Sequence, residues 1–414
     1  MKLMVISHTF ARKMLWKRWM MLAENYPDVD VTLIAPSEWT DGNNSNYTFG
    51  TKMVSYGEEY DSGNFHVRLV DMKFYGKIGW ISKKLVSLIR KNKPDYIFHI
   101  GTHLQDSLYE CIKVSRLFSR KTKILAFSMR GPQHNLVKKK KASFKQKLNY
   151  ALLKHKLKVV KKKSTAIFCH YPDAKQLFVE EGFKQPIYIQ TQVGVDTDVY
   201  CKNEEYRHLI RSKYNISDDC FVFASAVRMG ADKGVPDIIE ALPSKGNYKV
   251  MLMGSGNEKE MEAIKKSVEE RGLLEKIIFT GFVNNEEMPK YWNAADCAIH
   301  IPRTTPQWVE TFSLSVVQAM ATELCVIGSS SGSVPYQIGP DGIIVQERNN
   351  KELADKIIWA MNSPEELKQI GIKMRERAEQ CFSIKHLTKC LYIALTDIEK
   401  GNICEEHLDM TQIH

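Results

Sequence analysis

Two cations, Arg228 and Lys233, share the segment AVRMGADKG (226–234), between the apolar run FVFASA and the stretch VPDIIEAL. A guanidinium offers a bidentate fork and an ammonium a point charge, so together they suit a diphosphate. Solvated loop cations are the competing reading, and the position directly after a strand narrows that gap without closing it. Further on, Glu310 precedes TFSLSVVQAMA, in which Leu314, Val316, Val317, Ala319, Met320 and Ala321 are apolar on nearly every side. The spacing predicts a buried helix, with Thr311 or Ser313 as its cap and its first amides offered as an anion site. Inside such a helix Gln318 must find hydrogen-bond partners or cost about 1–3 kcal/mol. Capping is the plainer role for Glu310, and backbone satisfaction the plainer one for Gln318. Gly254 and Gly256 in MGSG, and Gly281 before Phe282 in TGF, end strands where a ligand could approach the backbone, although glycine is also ordinary turn chemistry.

The elements that must position these residues follow a regular rhythm. LMVIS, a helix over Trp16 to Leu22, VDVTLIAP, DYIFHI, KILAFS, TAIFCH and YIQTQ alternate strand-like runs with helical patterns, and the rhythm restarts with FVFASA, YKVMLMG, KIIFTGF, DCAIHI, LCVIGSS and GIIV. Alternation of this kind predicts parallel sheets with covering helices, hence an α/β chain of two Rossmann-like domains facing across a cleft. The expected divisions are 1–198, 199–380 and 381–414, the last holding a C-terminal helix that crosses back to the first domain. The helical block Glu365 to Ile398 has no Pro or Gly breaker apart from Gly371, and the polar tail after Gly401 is expected to fray,.

Length and composition agree with two domains: 414 residues, 43% hydrophobic and 26% charged, with no low-complexity bias,. Nine scattered cysteines without CxxC spacing imply neither a disulfide framework nor a zinc site,. The apolar run at the N-terminus is too short for a leader, and no window is long enough to span a bilayer, so the chain is expected to be cytoplasmic. Charge is local. Between Glu110 and Asp173 stand 18 of the 59 Lys plus Arg and no acid, leaving 41 cations against 48 acids elsewhere. Twelve of the 18 fall within Lys138–Lys163, where Phe144, Leu148, Ala151, Leu152 and Leu157 form an interrupted apolar stripe. A solvated helix face and an anionic membrane surface are both open for that stretch.

The order R228xxxxK233G, GSG, TGF, E310TFSLSVVQAMA and VIGSSSGSVPYQIG resembles the carboxyl-terminal domain of the retaining glycosyltransferases of family four (glycosyl transferases group 1), with GT-B architecture. Gly194-Val195-Asp196-Thr197-Asp198 is similar to that family's interdomain segment. The resemblance implies that Glu310 contacts the donor sugar, that Gln318 stands where a glutamate takes the ribose hydroxyls, and that Arg228 and Lys233 bind the diphosphate. Gly254, Gly256, Gly281, Phe282, Thr311, Phe312, Ser313 and Leu314 would complete the donor site. Three departures stand out: Ser313 in place of a glycine, Glu323 and Cys325 in place of a Gly-x-Pro, and HTFARK in place of a Gly-Gly loop after the first strand.

On the acceptor side, SMRGPQHNL (128–136) follows the strand KILAF. Where many relatives carry a reacting histidine, the aligned position is Ser128 or Met129. His134 and Arg130 are substitutes, with His8 and His103 at other strand ends. The acid-x-acid pairs Asp28-Val29-Asp30 and Asp196-Thr197-Asp198 open a strand and lie in the linker, so no metal role and no cofactor is expected. The expectation is therefore a metal-independent transferase that moves a sugar from a nucleotide-diphosphate sugar to a glycan or lipid-linked acceptor. A non-catalytic partner subunit is the alternative. A nucleic-acid-binding protein explains none of the second-domain motifs.

Overall fold

The computed structural model describes residues 1–39, 53–54, 58–71, 82–101, 106–129, 144–306 and 308–413. The apolar runs LMVI and IFHI are buried on both faces, as strands of a helix-covered parallel sheet must be,. The chain divides into two compact units, Met1–Val193 with Ile384–His414, and Gly194–Ser383.

The first unit runs β1 (Lys2–Ile6), α1 (Lys17–Asn25), β2 (Asp30–Pro36), the short ribbon β3 (Glu38–Trp39) and β4 (Met53–Val54), β5 (Tyr60–Ser62), β6 (Phe65–Val70), α2 (Lys83–Asn92), β7 (Tyr96–Gly101), α3 (Asp106–Phe118), β8 (Lys123–Ser128), α4 (Phe144–Lys163), β9 (Ala166–Cys169), α5 (Pro172–Glu180) and β10 (Ile187–Ile189). Its eight-stranded sheet has the order β10-β9-β8-β7-β1-β2-β6-β5, parallel but for the antiparallel β5–β6 pair, which the strand rhythm did not reveal. The helix expected over Trp16 to Leu22 starts at Lys17, after two single 3-10 turns, and extends to Asn25.

The second unit runs α6 (Glu204–Lys213), β11 (Phe221–Ala226), α7 (Val235–Ala241), β12 (Tyr248–Met253), α8 (Glu258–Glu270), β13 (Ile277–Gly281), α9 (Met288–Ala294), β14 (Cys297–His300), α10 (Leu314–Ala321), β15 (Cys325–Ser329), α11 (Val334–Ile338), β16 (Ile343–Val345), α12 (Asn350–Asn362) and α13 (Pro364–Arg377). Its six strands are all parallel in the order β13-β12-β11-β14-β15-β16.

The block read as one helix, Glu365 to Ile398, is broken. After α13 a π turn covers Ala378–Phe382, and Ser383 is extended at φ −67 and ψ 149. It forms a parallel bridge with Val195, whose N–H donates to Phe382 O at 3.0 Å. The outgoing and returning connections thus pair with each other, and no local sequence breaker is needed. α14 (Ile384–Lys400) then packs in the first unit. There Arg18 of α1, 3% exposed, donates to the carbonyls of Thr191 and Leu387 and to Gln192 Oε1. Burial lowers its pKa to about 9.

The tail is ordered, contrary to the fraying expected of it. Asp409 bridges to Ile189 at the β10 edge, Met410 is 1% exposed, and His386 hydrogen-bonds Met410 O at 2.7 Å. Met410 and Ile413 bury enough apolar surface to dock a segment whose composition is otherwise polar, and the docking covers a sheet edge,. Among the described residues no helix is long and apolar enough to cross a membrane. Met410→Ala is expected to lower stability by about 2–3 kcal/mol through lost burial and a residual cavity. The urea midpoint measures this, and an unchanged midpoint would mean that the tail is not part of the core.

Candidate active site

Strand order in the second unit reverses between β11 and β14, so the connections leaving these neighbours diverge and open a crevice at their carboxyl ends,. The Arg228 loop follows β11, and the segment 301–313, carrying Glu310, follows β14. They are joined by Arg303 N–H donating to Asp232 O at 2.8 Å, while the Arg303 guanidinium forks onto Asp237 of α7. Gly254 and Gly256 serve close approach, but of another part of the chain: a Cβ there would stand 2.0 Å from Val227 O and 2.4 Å from Met229 O. Phe282, after Gly281 at the end of β13, is 60% exposed.

Neither cation is a solvated loop charge. Lys233 Nζ lies 2.8 Å from Glu310 Oε2 and 3.8 Å from the centroid of a Trp308 ring. Glu310 is only 6% exposed. Burial pushes its pKa up, but the Lys233 ammonium, with His300 behind it, outweighs this and brings it down to about 2. His300 Nε2, at the end of β14, lies 3.5 Å from the same oxygen without making a hydrogen bond. Glu310 therefore acts as an ion-pair partner and does not cap the helix. Arg228 is held by Asp232 at 2.5 Å and by Glu260 at 3.1 Å. One lysine thus balances a buried carboxylate, and one arginine carries two carboxylates at its rim.

α10 forms where expected, with Val316 to Ala321 buried, but no side chain caps it. Ser313 occupies the cap position, yet its hydroxyl is shared with Ser315 Oγ at 2.9 Å and its N–H goes to Gln337 Oε1. Phe312 packs near Phe382, ring centroids 6.1 Å apart, and Thr311 and Leu314 are part-exposed beside it. Gln318 is satisfied by side chains, not backbone. Its Nε2 donates to Tyr200 Oη at 2.8 Å and Asn285 Oδ1 at 2.9 Å, and Trp292 Nε1 approaches its Oε1 at 3.5 Å. Tyr200, Asn285, His300 and Trp308 were not picked out from sequence. His300 could have been, because it is the one polar residue in the run CAIHI (297–301), the same signal that singled out Gln318.

In the first unit the order reverses between β1 and β7. His8 lies in the turn directly after β1. His103, Arg130 and His134 fall outside the described residues. Ser128 ends β8 and is buried, with Met129 next to it. Sequence reading missed His99 on β7, 2% exposed, whose Nε2 pairs with Ser107 Oγ at 2.6 Å. Burial, and then the nearby His8, push its pKa down to about 3, which keeps this imidazole neutral.

A groove of about 740 Å³, lined by Asp218, Phe221, Asn247, Asp296, Leu324 and Lys368 among others, lies at the amino ends of the second sheet. Its size does not make it the site, because Asp296 on its floor is already shared by Arg207 and Arg211. The buried charges and the diverging loops are at the opposite, carboxyl ends. Among the described residues no three His, Cys, Asp or Glu are grouped to hold a metal ion.

The Glu310 pair sets a pH dependence. The folded carboxyl titrates at about 2 against an ordinary value of 4.5, so it contributes stability above about pH 4.5 that is lost as pH falls toward 2,. Urea midpoints measured from about pH 6 down to about pH 2.5 are expected to show the advantage of the wild type over Glu310→Gln shrinking through that window. Parallel profiles would show that the carboxylate is not paired.

Residues 207–377 match the sequence profile of the family described as glycosyl transferases group 1. The GDP-mannose-dependent alpha-(1-6)-phosphatidylinositol monomannoside mannosyltransferase of Mycobacterium tuberculosis is 26% identical over 191 residues, 44% of this chain and 49% of that protein. The alpha-monoglucosyldiacylglycerol synthase of Acholeplasma laidlawii is 26% identical over 207 residues, 47% of this chain and 48% of that protein. The chain thus spans about half the length of the curated relatives it matches. Anabaena Alr3699/HepE, solved in complex with UDP, superposes with a TM-score of 0.70 at 16% identity, over 96% of this chain and all of that one. The two parallel-sheet α/β domains are thus those of the GT-B fold, and the second of them matches the profile of the glycosyl transferases group 1.

Proposed function

We propose that the chain is a retaining, metal-independent hexosyltransferase that takes its sugar from a nucleotide-diphosphate sugar held by the second domain. The observation that carries this is the buried Glu310–Lys233 pair beside the uncapped start of α10, at the carboxyl ends of β11 and β14. Charge develops mainly on the departing diphosphate, so donors fixed in advance around it do the most work. Lys233, Arg228 and the first amides of α10 supply those donors, Glu310 faces the sugar, and Gln318 takes the ribose through its carboxamide. Phe282, with Gly281, Gly254 and Gly256, lines the nucleoside side. The departing phosphate itself takes the acceptor proton.

The first domain takes the acceptor, a glycan or a lipid-linked one, with His8 on that side and Arg130, His103 and His134 as further candidates. The mannosyltransferase above is named for a lipid acceptor and the monoglucosyldiacylglycerol synthase for a glycolipid product, which supports this choice. α4 supports it too. Leu148 and Leu152 are 52% and 49% exposed on a helix ending Lys161-Lys162-Lys163, a composition suited to an anionic membrane surface on the cytoplasmic side. No nucleic-acid partner and no cofactor enter this scheme. A non-catalytic partner subunit is the second reading, favoured by a neutral, fully partnered Gln318 where the family carries a glutamate.

Hydrolysis of UDP-, GDP- and ADP-sugars, run beside a thermal-shift panel of the same nucleotides, separates the two readings, because only a donor-binding native state is stabilised by mass action. Arg228→Ala is expected to cut turnover about 10 to 1000-fold with a melting temperature near that of the wild type. Lys233→Ala is expected to cut it similarly and also to cost about 3 kcal/mol, since Glu310 is left buried and unpaired. Adding Glu310→Gln should restore the stability and not the activity. Full turnover in both single variants would remove the diphosphate role. For α4, flotation with anionic vesicles is expected to be salt-sensitive and to vanish with neutral ones. Absent or salt-insensitive binding would contradict the membrane role.

A further inference from the structure

Gln337 of α11 is fully buried, at 0% exposure. Both ends of its carboxamide bond to the backbone of one residue, Ser313. Oε1 accepts from Ser313 N–H at 2.9 Å, and Nε2 donates to Ser313 O at 2.9 Å. Oε1 also accepts from the Ser333 hydroxyl at 3.2 Å. The same short segment holds Glu310. Ser333 N–H donates to Glu310 O at 2.8 Å, and Gly332, at φ 51, lies so close that a Cβ would stand 2.0 Å from that oxygen. Arg377 anchors the clamp in turn by donating to the carbonyls of Tyr336 and Gln337 at 2.7 and 2.9 Å.

These bonds grip the chain on both sides of Thr311 and Phe312, just before α10 begins. Ser313 has no means of its own to fix that entry, because its hydroxyl is engaged with Ser315. A buried carboxamide is costly unless its bonds are made, and here they are made to a backbone that an apolar side chain could not hold. A displacement of about 1 Å from a change away from the chemistry can cost on the order of 100-fold in rate.

We infer that Gln337 is a positioning residue. It locks the turn from Glu310 to Ser313 and thereby sets where the Glu310 carboxylate and the first amides of α10 stand. The kinetic part of this rests on the proposed sugar transfer, whereas the structural part does not.

Gln337→Leu removes the clamp while keeping the bulk. Hydrogen exchange in the peptide 308–316 is expected to be at least about tenfold faster than in the wild type, with the rest of the second unit unchanged. Donor hydrolysis by the folded protein should lose about 10 to 100-fold in kcat, with KM for the donor changed less than about threefold. Ser333→Ala, which keeps the Ser313 clamp and the Ser333 N–H, should leave both readouts near wild type. Should Gln337→Leu not fold, Gln337→Met, which keeps the chain length and removes both bonds to Ser313 without adding a charge, is expected to give the same changes. Unchanged exchange in 308–316, or a lowered melting temperature with wild-type kcat in the folded fraction, would overturn the inference. If the wild type hydrolyses no nucleotide sugar, the proposed function fails, and the exchange measurement still decides the role of Gln337.

Discussion

A carboxylate withdrawn from water must be paired or become neutral, and Glu310 is paired with Lys233 at 2.8 Å,. The second unit is arranged around this pair. Lys233 can reach Glu310 only because the loop after β11 and the segment after β14 start from adjacent strands and diverge. A buried ion pair is poor evidence of stabilisation, since desolvation offsets most of the attraction. Under the proposed function its role lies elsewhere: it holds a negative group and a positive one in fixed places at the carboxyl ends of β11 and β14.

The remaining polar groups of the second unit follow the same economy. Arg228 is flanked by two carboxylates that keep it in place, and Gln318 is braced by Tyr200 and Asn285. A diphosphate arriving at this site would meet donors already oriented, so little reorganisation is left for the reaction itself. It would also have to compete with Asp232, Glu260 and Glu310 for the two cations. Under the proposed function this competition would favour ligands carrying more than one negative charge, because a single carboxylate gains nothing by replacing another.

Much of this was legible in the sequence because strand and helix periodicities are local. The recurring apolar runs gave the parallel sheets, and polar residues inside an apolar helix marked Gln318. Glu323 follows the same logic: it stands where the resemblance implies a glycine, and it adopts φ 61, a backbone region that disfavours side chains,. What stayed hidden was non-local. Gln318 meets Tyr200 from 118 residues away. The break at Ser383 is imposed by Val195, with no helix breaker nearby. The tail is ordered by an edge strand that its own polar composition could not announce. The missing cap on α10 arose because a hydroxyl suited to capping found another hydroxyl first.

The central claim is that the diphosphate is bound at the carboxyl ends of β11 and β14 by Lys233, Arg228 and the start of α10. The most direct test is a crystal structure grown with the nucleoside diphosphate that most raises the melting temperature. The account predicts phosphate oxygens within hydrogen-bond reach of Lys233 Nζ and of the first amides of α10. A diphosphate bound instead in the groove at the amino ends of the strands, with the Lys233–Glu310 pair untouched, would contradict it.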